Sequence, residues 1–143
     1  MEIRKGTPED VAAVASLYDE RNSYLEENCM QTREEILQYG MTFPEVYIDT
    51  PFHDDNWVLL RCRKNRRAFA WTYERNGRIW VNVKVDPRWR DFWRDAYASV
   101  VPAYHQNKEH WNSIILDGSI PPDKIRQMIA ESYDLVVKKR KEH

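Results

Sequence analysis

The sequence predicts an α+β domain in which an antiparallel β-sheet packs against helices. Between Trp57 and Val85 the apolar side chains alternate with a period of two, the spacing of half-buried strands. Within that stretch the Asn76-Gly77 pair is the signature of a two-residue type I′ hairpin, since both central positions of that turn need positive φ. Helix starts flank the strands at Thr32-Arg33-Glu34-Glu35, Asp86-Pro87 and Pro121-Pro122-Asp123. With 143 residues the chain is long enough for one ordinary domain.

The first element is a helix opened by Thr7-Pro8-Glu9-Asp10, with Val11, Val14, Leu17, Tyr18, Tyr24 and Leu25 as its apolar stripe. Residues 1–30 are therefore expected as an N-terminal helical extension and 31–143 as the main domain. The second helix has a capping-box start, because Glu35 stands three residues after Thr32. It turns Ile36, Leu37 and Tyr39 inward and is expected to end at Gly40. Strands are expected at Val46–Ile48, Trp57–Arg63, Arg67–Arg75, Arg78–Val85 and Trp111–Leu116, with 100–106 irregular.

A two-residue turn at Asn76-Gly77 sets the register of its hairpin. Tyr73 then faces Trp80 and Trp71 faces Asn82 on an aromatic side, while Thr72 faces Val81 and Ala70 faces Val83 on a side of small and β-branched residues. The same register puts Phe69 opposite Lys84. The preceding turn, somewhere in Arg63-Lys64-Asn65-Arg66, leaves two registers open, and a one-residue slip decides which face carries Arg61 and Arg63. After Asp86-Pro87, the spacing of Trp89, Phe92, Trp93, Ala96 and Tyr97 reads as a helix stripe facing the core. The last helix turns Ile125, Met128, Ile129, Ser132 and Val136 inward and closes on Lys138-Lys139-Arg140-Lys141, which suits its negative dipole end.

The net charge of −1 hides an uneven distribution. Residues 1–60 carry four basic and thirteen acidic groups, whereas 61–96 carry eleven basic and four acidic. Such a dipolar chain favours an oriented contact with a polyanion over indiscriminate binding. No apolar run approaches the roughly 20 residues that span a bilayer, and Met1-Glu2-Ile3-Arg4-Lys5 does not open a secretion signal. Cys29 and Cys62 lack metal-type spacing and fit unpaired thiols in a reducing cytoplasm.

Glycine occurs only at positions 6, 40, 77 and 118, which excludes a P-loop, a dinucleotide fingerprint and a nucleophile elbow. Cys62 has Arg61, Arg63 and Lys64 beside it but no marker of a nucleophile beyond that charge. No catalytic residue, cofactor or metal is expected. The strongest outward signal is the run Arg61, Arg63, Lys64, Arg66 and Arg67, five cations in seven residues flanking a turn. Arginine forks pair with phosphate oxygens, so the turn could follow a nucleic-acid backbone, and Lys84 would add to it; charged edge strands also deter sheet aggregation. A second candidate is Tyr104, His105, Asn107, Lys108, His110 and Trp111, where Lys108 and His105 could hold a phosphate beside the Trp111 plane, or the segment could cap the sheet.

Three stretches resemble the MmcQ/YjbR family: Thr32-Arg33-Glu34-Glu35-Ile36 with Asp49-Thr50-Pro51-Phe52 and Asp54; Val81-Asn82-Val83-Lys84-Val85-Asp86-Pro87; and Pro102-Ala103-Tyr104-His105-Gln106-Asn107-Lys108-Glu109-His110-Trp111-Asn112, followed by Leu116-Asp117-Gly118-Ser119 and Ser132-Tyr133-Asp134-Leu135-Val136. The resemblance implies a CyaY-like (frataxin-like) two-layer fold. It also implies DNA binding in a double-wing mode, with β-hairpins approaching the duplex. Residues 1–30 depart from that pattern, and Ile3 to Asp10 resembles the opening of a GNAT acetyltransferase, of which the rest is absent. The expectation is a non-enzymatic, cytoplasmic, monomeric protein that binds double-stranded DNA through Arg61, Arg63, Lys64, Arg66, Arg67, Lys84 and Lys108. The alternative is a protein-interaction or small-ligand module using the aromatic face and the Tyr104–Trp111 segment.

Overall fold

The computed structural model describes residues 30–138. The helix expected after Thr7, the thiol of Cys29 and the basic run beyond Lys138 lie outside the described residues. The described elements are α1 (Arg33–Gly40), β1 (Val46–Asp49), β2 (Val58–Cys62), β3 (Ala68–Arg75), β4 (Arg78–Lys84), α2 (Pro87–Ala96), β5 (Val100–Pro102), β6 (Trp111–Ile115) and α3 (Pro122–Lys138). They form an α+β fold with one six-stranded sheet in the order β1-β2-β3-β4-β6-β5, antiparallel at every pairing. The first four strands meander, α2 carries the chain past the next position to the edge strand β5, and β6 returns to fill the gap.

Helix α1 starts as its sequence requires: the Thr32 hydroxyl accepts from the Glu35 amide, and the Glu35 carboxylate accepts from the Thr32 amide. It ends at Gly40 as expected, with Met41 as C-cap in a right-handed conformation. Gly40 is thus not needed for a left-handed cap. It is needed because a Cβ there would lie 2.3 Å from Leu60 Cδ1, so the helix sits directly on β2.

The β3–β4 hairpin has the predicted register, from Arg75 opposite Arg78 through Tyr73–Trp80, Thr72–Val81, Trp71–Asn82 and Ala70–Val83. Asn76 and Gly77 both take positive φ, 55° and 76°. Beyond Ala70 the ladder parts, so Phe69 and Lys84 do not pair directly. The buried Ser132 hydroxyl of α3 bridges them instead, donating to the Phe69 carbonyl at 2.7 Å and accepting from the Lys84 amide at 2.8 Å. In the neighbouring pairing Leu60 stands opposite Ala70 and Arg61 opposite Ala68, which leaves Phe69 as a bulge. The bulge turns Phe69 into the helix layer, where its ring packs edge-on against Tyr133 at 5.2 Å and Phe43 at 6.1 Å.

All three helices cover one face of the sheet. The Gly40 end of α1 meets Leu60, α3 inserts Ser132, and Arg94 of α2 donates to Asn112 Oδ1 at 2.8 Å. The core between them contains Ile36, Leu60, Val81, Val83, Ile114, Ile125 and Ile129, all fully buried. On α3 the inward set is the one its periodicity predicts, Ile125, Met128, Ile129, Ser132 and Val136.

Two further expectations fail. The segment after α2 is not wholly irregular, since Val100–Pro102 forms β5; three residues ending in proline are too short to show a period. The aromatic stripe of α2 does not face the core. Trp93 is buried, but Trp89 and Phe92 are each 53% exposed. The reason is that Arg90 and Arg94 take the inner side, donating to the carbonyls of Glu109 and Lys108. Asp86 caps this helix through the Arg88 amide, and hydrogen bonding to Arg88 lowers its carboxyl to about 2.

Candidate nucleic-acid interface

The face opposite the helices is aromatic, and two loops cover it. Trp57 stacks on Tyr73 with centroids 4.2 Å apart, and Tyr104 stacks on Tyr73 at 5.7 Å. Tyr73 and Trp80 are buried. The guanidinium of Arg75 lies 4.6 Å from the Trp80 centroid and 4.0 Å from that of Tyr104, a cation–π sandwich that spends its charge locally.

Asn82, fully buried, ties this cover down. Its side-chain oxygen accepts from the hydroxyls of Tyr73, at 2.8 Å, and Ser113. Its amide donates to the Tyr104 carbonyl and to Gln106 Oε1, both at 2.8 Å. The Ser113 hydroxyl also accepts from the Tyr104 amide at 3.0 Å. Every polar atom of the Asn82 side chain is used, as a buried amide requires. Between the two clamped residues His105 takes a positive φ of 67°. Burial raises the Tyr73 hydroxyl above its usual range, with the Ser113 hydrogen bond pulling the other way.

The basic turn projects from the far end of the same face. Cys62 N–H donates to the Arg67 carbonyl and Arg66 N–H to the Cys62 carbonyl, closing a loop over Arg63–Arg66 with Arg66 at φ 64°. The register left open by the sequence is settled by Tyr47 opposite Arg61 and Leu59 opposite Trp71, so Arg61 lies on the aromatic face. The turn is braced from both sides. Asn65 Nδ2 donates to the Val136 carbonyl near the end of α3, whose negative dipole end therefore faces the cations. Arg61 is locked by Asp49 at 2.6 Å and donates to the Arg66 carbonyl at 2.8 Å.

The five hairpin cations are therefore not equivalent. Arg61 has a carboxylate; Arg63 rests 5.2 Å from the Tyr47 centroid and remains exposed; Lys64, Arg66 and Arg67 are exposed. Among the described residues, none of Arg63, Lys64, Arg66 and Arg67 forms an ion pair. Arg61, Arg66 and Arg67 meet Lys84, Trp71 and Trp111 around a cleft of about 240 Å³. The Lys84 ammonium lies 5.7 Å from the Trp111 centroid.

The second candidate set is dispersed. Trp111 lines the cationic cleft, and Tyr104 and His105 cover Tyr73 and Trp57. Asn107 Oδ1 accepts from the amides of Glu109 and His110 and so shapes a turn. Lys108 and His110 are exposed, with the Lys108 carbonyl held by Arg94. Trp71, a wall of the cleft, was expected only as part of the aromatic face, and Asn82, the clamp, escaped sequence reasoning as a site component. Their pairing across β3 and β4 was readable, but the loop above them was not. Among the described residues no group of three or more His, Cys, Asp or Glu could hold a metal. Cys62 is buried and its thiol is pushed up to about 11, the state of a packed thiol and not of a nucleophile.

The fold and this face define an α+β domain with a single helix layer, its open sheet face roofed by loops and edged by a braced cationic turn. The chain belongs to the YjbR family, whose model matches residues 41–135. It is 32% identical over 106 residues to the uncharacterized protein YjbR of Escherichia coli K12, covering 74% of this chain and 87% of that one. It is 28% identical to the uncharacterized protein YyaQ of Bacillus subtilis, covering 74% and 98%. The crystal structure of Deinococcus radiodurans protein DR2400, a DUF419 domain, superposes with a TM-score of 0.72 at 30% identity, covering 79% of this chain and 83% of that one. A Pseudomonas syringae protein shares the fold with a TM-score of 0.65 at 24% identity, covering 73% and 97%. Among the described residues no helix is long and apolar enough to cross a membrane.

Proposed function

We propose that this chain is a non-enzymatic DNA-binding domain that takes the phosphate backbone of a duplex on the β2–β3 turn. The observation that carries the reading is the set Arg63, Lys64, Arg66 and Arg67, exposed on one turn and without ion pairs among the described residues. The turn is stiffened by the Arg61–Asp49 pair and by Asn65 on α3, so little ordering entropy is lost when a phosphate arrives. Phosphate contacts position a protein without reading sequence, and an exposed cationic turn suits that kind of contact.

Fluorescence anisotropy with a short labelled duplex tests it. Four neutralised phosphates give a log–log salt slope of about −3.6, hence roughly 150-fold weaker binding on going from 50 to 200 mM salt. Replacing Arg66 and Arg67 by Gln should bring the slope to about −1.8. A flat salt response, or no binding of duplex at low salt, refutes the proposal.

A further inference from the structure

The cleft beneath the turn has two kinds of wall. Trp71 and Trp111, each half-buried, line it together with the cationic side chains of Arg61, Arg66, Arg67 and Lys84. A surface built only to track a phosphate backbone needs no aromatic floor. A surface built only to pack needs no arginines. The combination matches a ligand that carries a flat ring and an anion a few bonds apart.

Size narrows the choice. At about 240 Å³ the cleft falls below the roughly 300–1,000 Å³ of pockets for drug-sized ligands, so it admits one ring system with its charge at the mouth. The fixed charge of Arg61, neutralised by Asp49, forms a wall; Arg66 and Arg67, exposed and without ion pairs among the described residues, stand where an incoming anion would be met. The Lys84 ammonium, 5.7 Å from the Trp111 centroid, adds a cation beside the ring at which an anionic ligand would arrive. Arginine forks suit phosphate, and indoles suit a nucleobase.

We infer that this cleft is a subsite for one nucleotide unit, its base against Trp71 and Trp111 and its phosphate on Arg66 and Arg67. Such a unit comes either as an unpaired nucleotide of a strand or as a free nucleoside monophosphate. The first source deepens the DNA reading above and rests on it; the second does not.

Three probes separate these cases with the full chain at fixed salt: a blunt duplex, the same duplex ending in one unpaired nucleotide, and free deoxyadenosine monophosphate followed by tryptophan fluorescence. For the strand source, the unpaired nucleotide should tighten binding about tenfold, within what one base–aromatic stack provides. Trp111→Leu should cancel that difference, and Trp111→Phe should restore most of it, with circular dichroism confirming that both variants fold. For the free source, the monophosphate should quench the fluorescence in a saturable way that Trp111→Leu weakens. Equal affinity for the two duplexes together with no response to the monophosphate overturns the subsite while leaving duplex binding intact. Loss of duplex binding with a retained response to the monophosphate overturns the DNA reading instead and leaves the subsite standing.

Discussion

Replacing Ser132 by Ala tests the most unusual joint of the fold. The Ser132 hydroxyl stands in for a missing rung between β3 and β4, bonding the Phe69 carbonyl at 2.7 Å and the Lys84 amide at 2.8 Å. Without it the buried carbonyl has lost its partner, at about 1–3 kcal/mol, and the part-buried amide adds about 1 kcal/mol. Alanine returns roughly 0.5 kcal/mol through its better helix propensity, so the net loss should be about 1.5–3.5 kcal/mol. For a domain of ordinary stability, about 5–15 kcal/mol, that is a large fraction. It corresponds to a fall in Tm of about 6–14 °C. Urea titrations followed by far-ultraviolet circular dichroism would read it as a lower midpoint at unchanged slope. Gln127, exposed on the same helix, is the control, and its replacement by Ala should stay within about 0.5 kcal/mol of the parent. A Ser132→Ala variant that also stays within about 0.5 kcal/mol would refute the view that the hydroxyl replaces a ladder bond.

Two further outcomes follow from buried groups. The Cys62 thiol is pushed up from 9.0 to about 11 by burial, so the folded chain binds its proton more tightly than the unfolded one. That contribution to stability is complete below pH 9 and is lost as pH rises towards 11; Cys62→Ala should remove this alkaline decline in the urea midpoint, and an unchanged decline would refute the assignment. Asn82→Ala leaves Tyr73, Ser113 and the Tyr104 carbonyl without their shared partner and should cost about 2–4 kcal/mol. Hydrogen exchange at Tyr104 and Gln106 should quicken in that variant, and retained protection there would show that Asn82 does not hold the segment.

Much of the fold was legible because it is locally encoded. The Asn76-Gly77 turn fixes the register of β3 and β4 down to Ala70–Val83, and the stripe of α3 names its buried side. What could not be read depends on non-local competition. Trp89 and Phe92 have the spacing of a core stripe, yet Arg90 and Arg94 hold the inner side of α2 because carbonyls at 108 and 109 and the Asn112 side-chain oxygen lie there to accept from them. Gly40 reads as a cap and serves as a contact surface. The cationic turn was legible as composition, but not the division of labour within it. Which arginine has a carboxylate depends on Asp49, which precedes Arg61 by twelve residues and reaches it only because β1 pairs with β2.

The bulge at Phe69 also decides where there is room. In an unbroken strand Phe69 would stand opposite Arg61, two residues on from Trp71 opposite Leu59, and its ring would occupy the ground in front of the arginines. One surplus residue rotates that ring to the other side, where it completes the cluster with Phe43 and Tyr133, and puts the methyl of Ala68 in its place. The hollow on one face and the filled core on the other are thus the two halves of a single displacement. Deleting Phe69 would keep Ala68 opposite Arg61 in an unbroken ladder, leaving the hollow as it is and emptying the place its ring fills beside Phe43 and Tyr133.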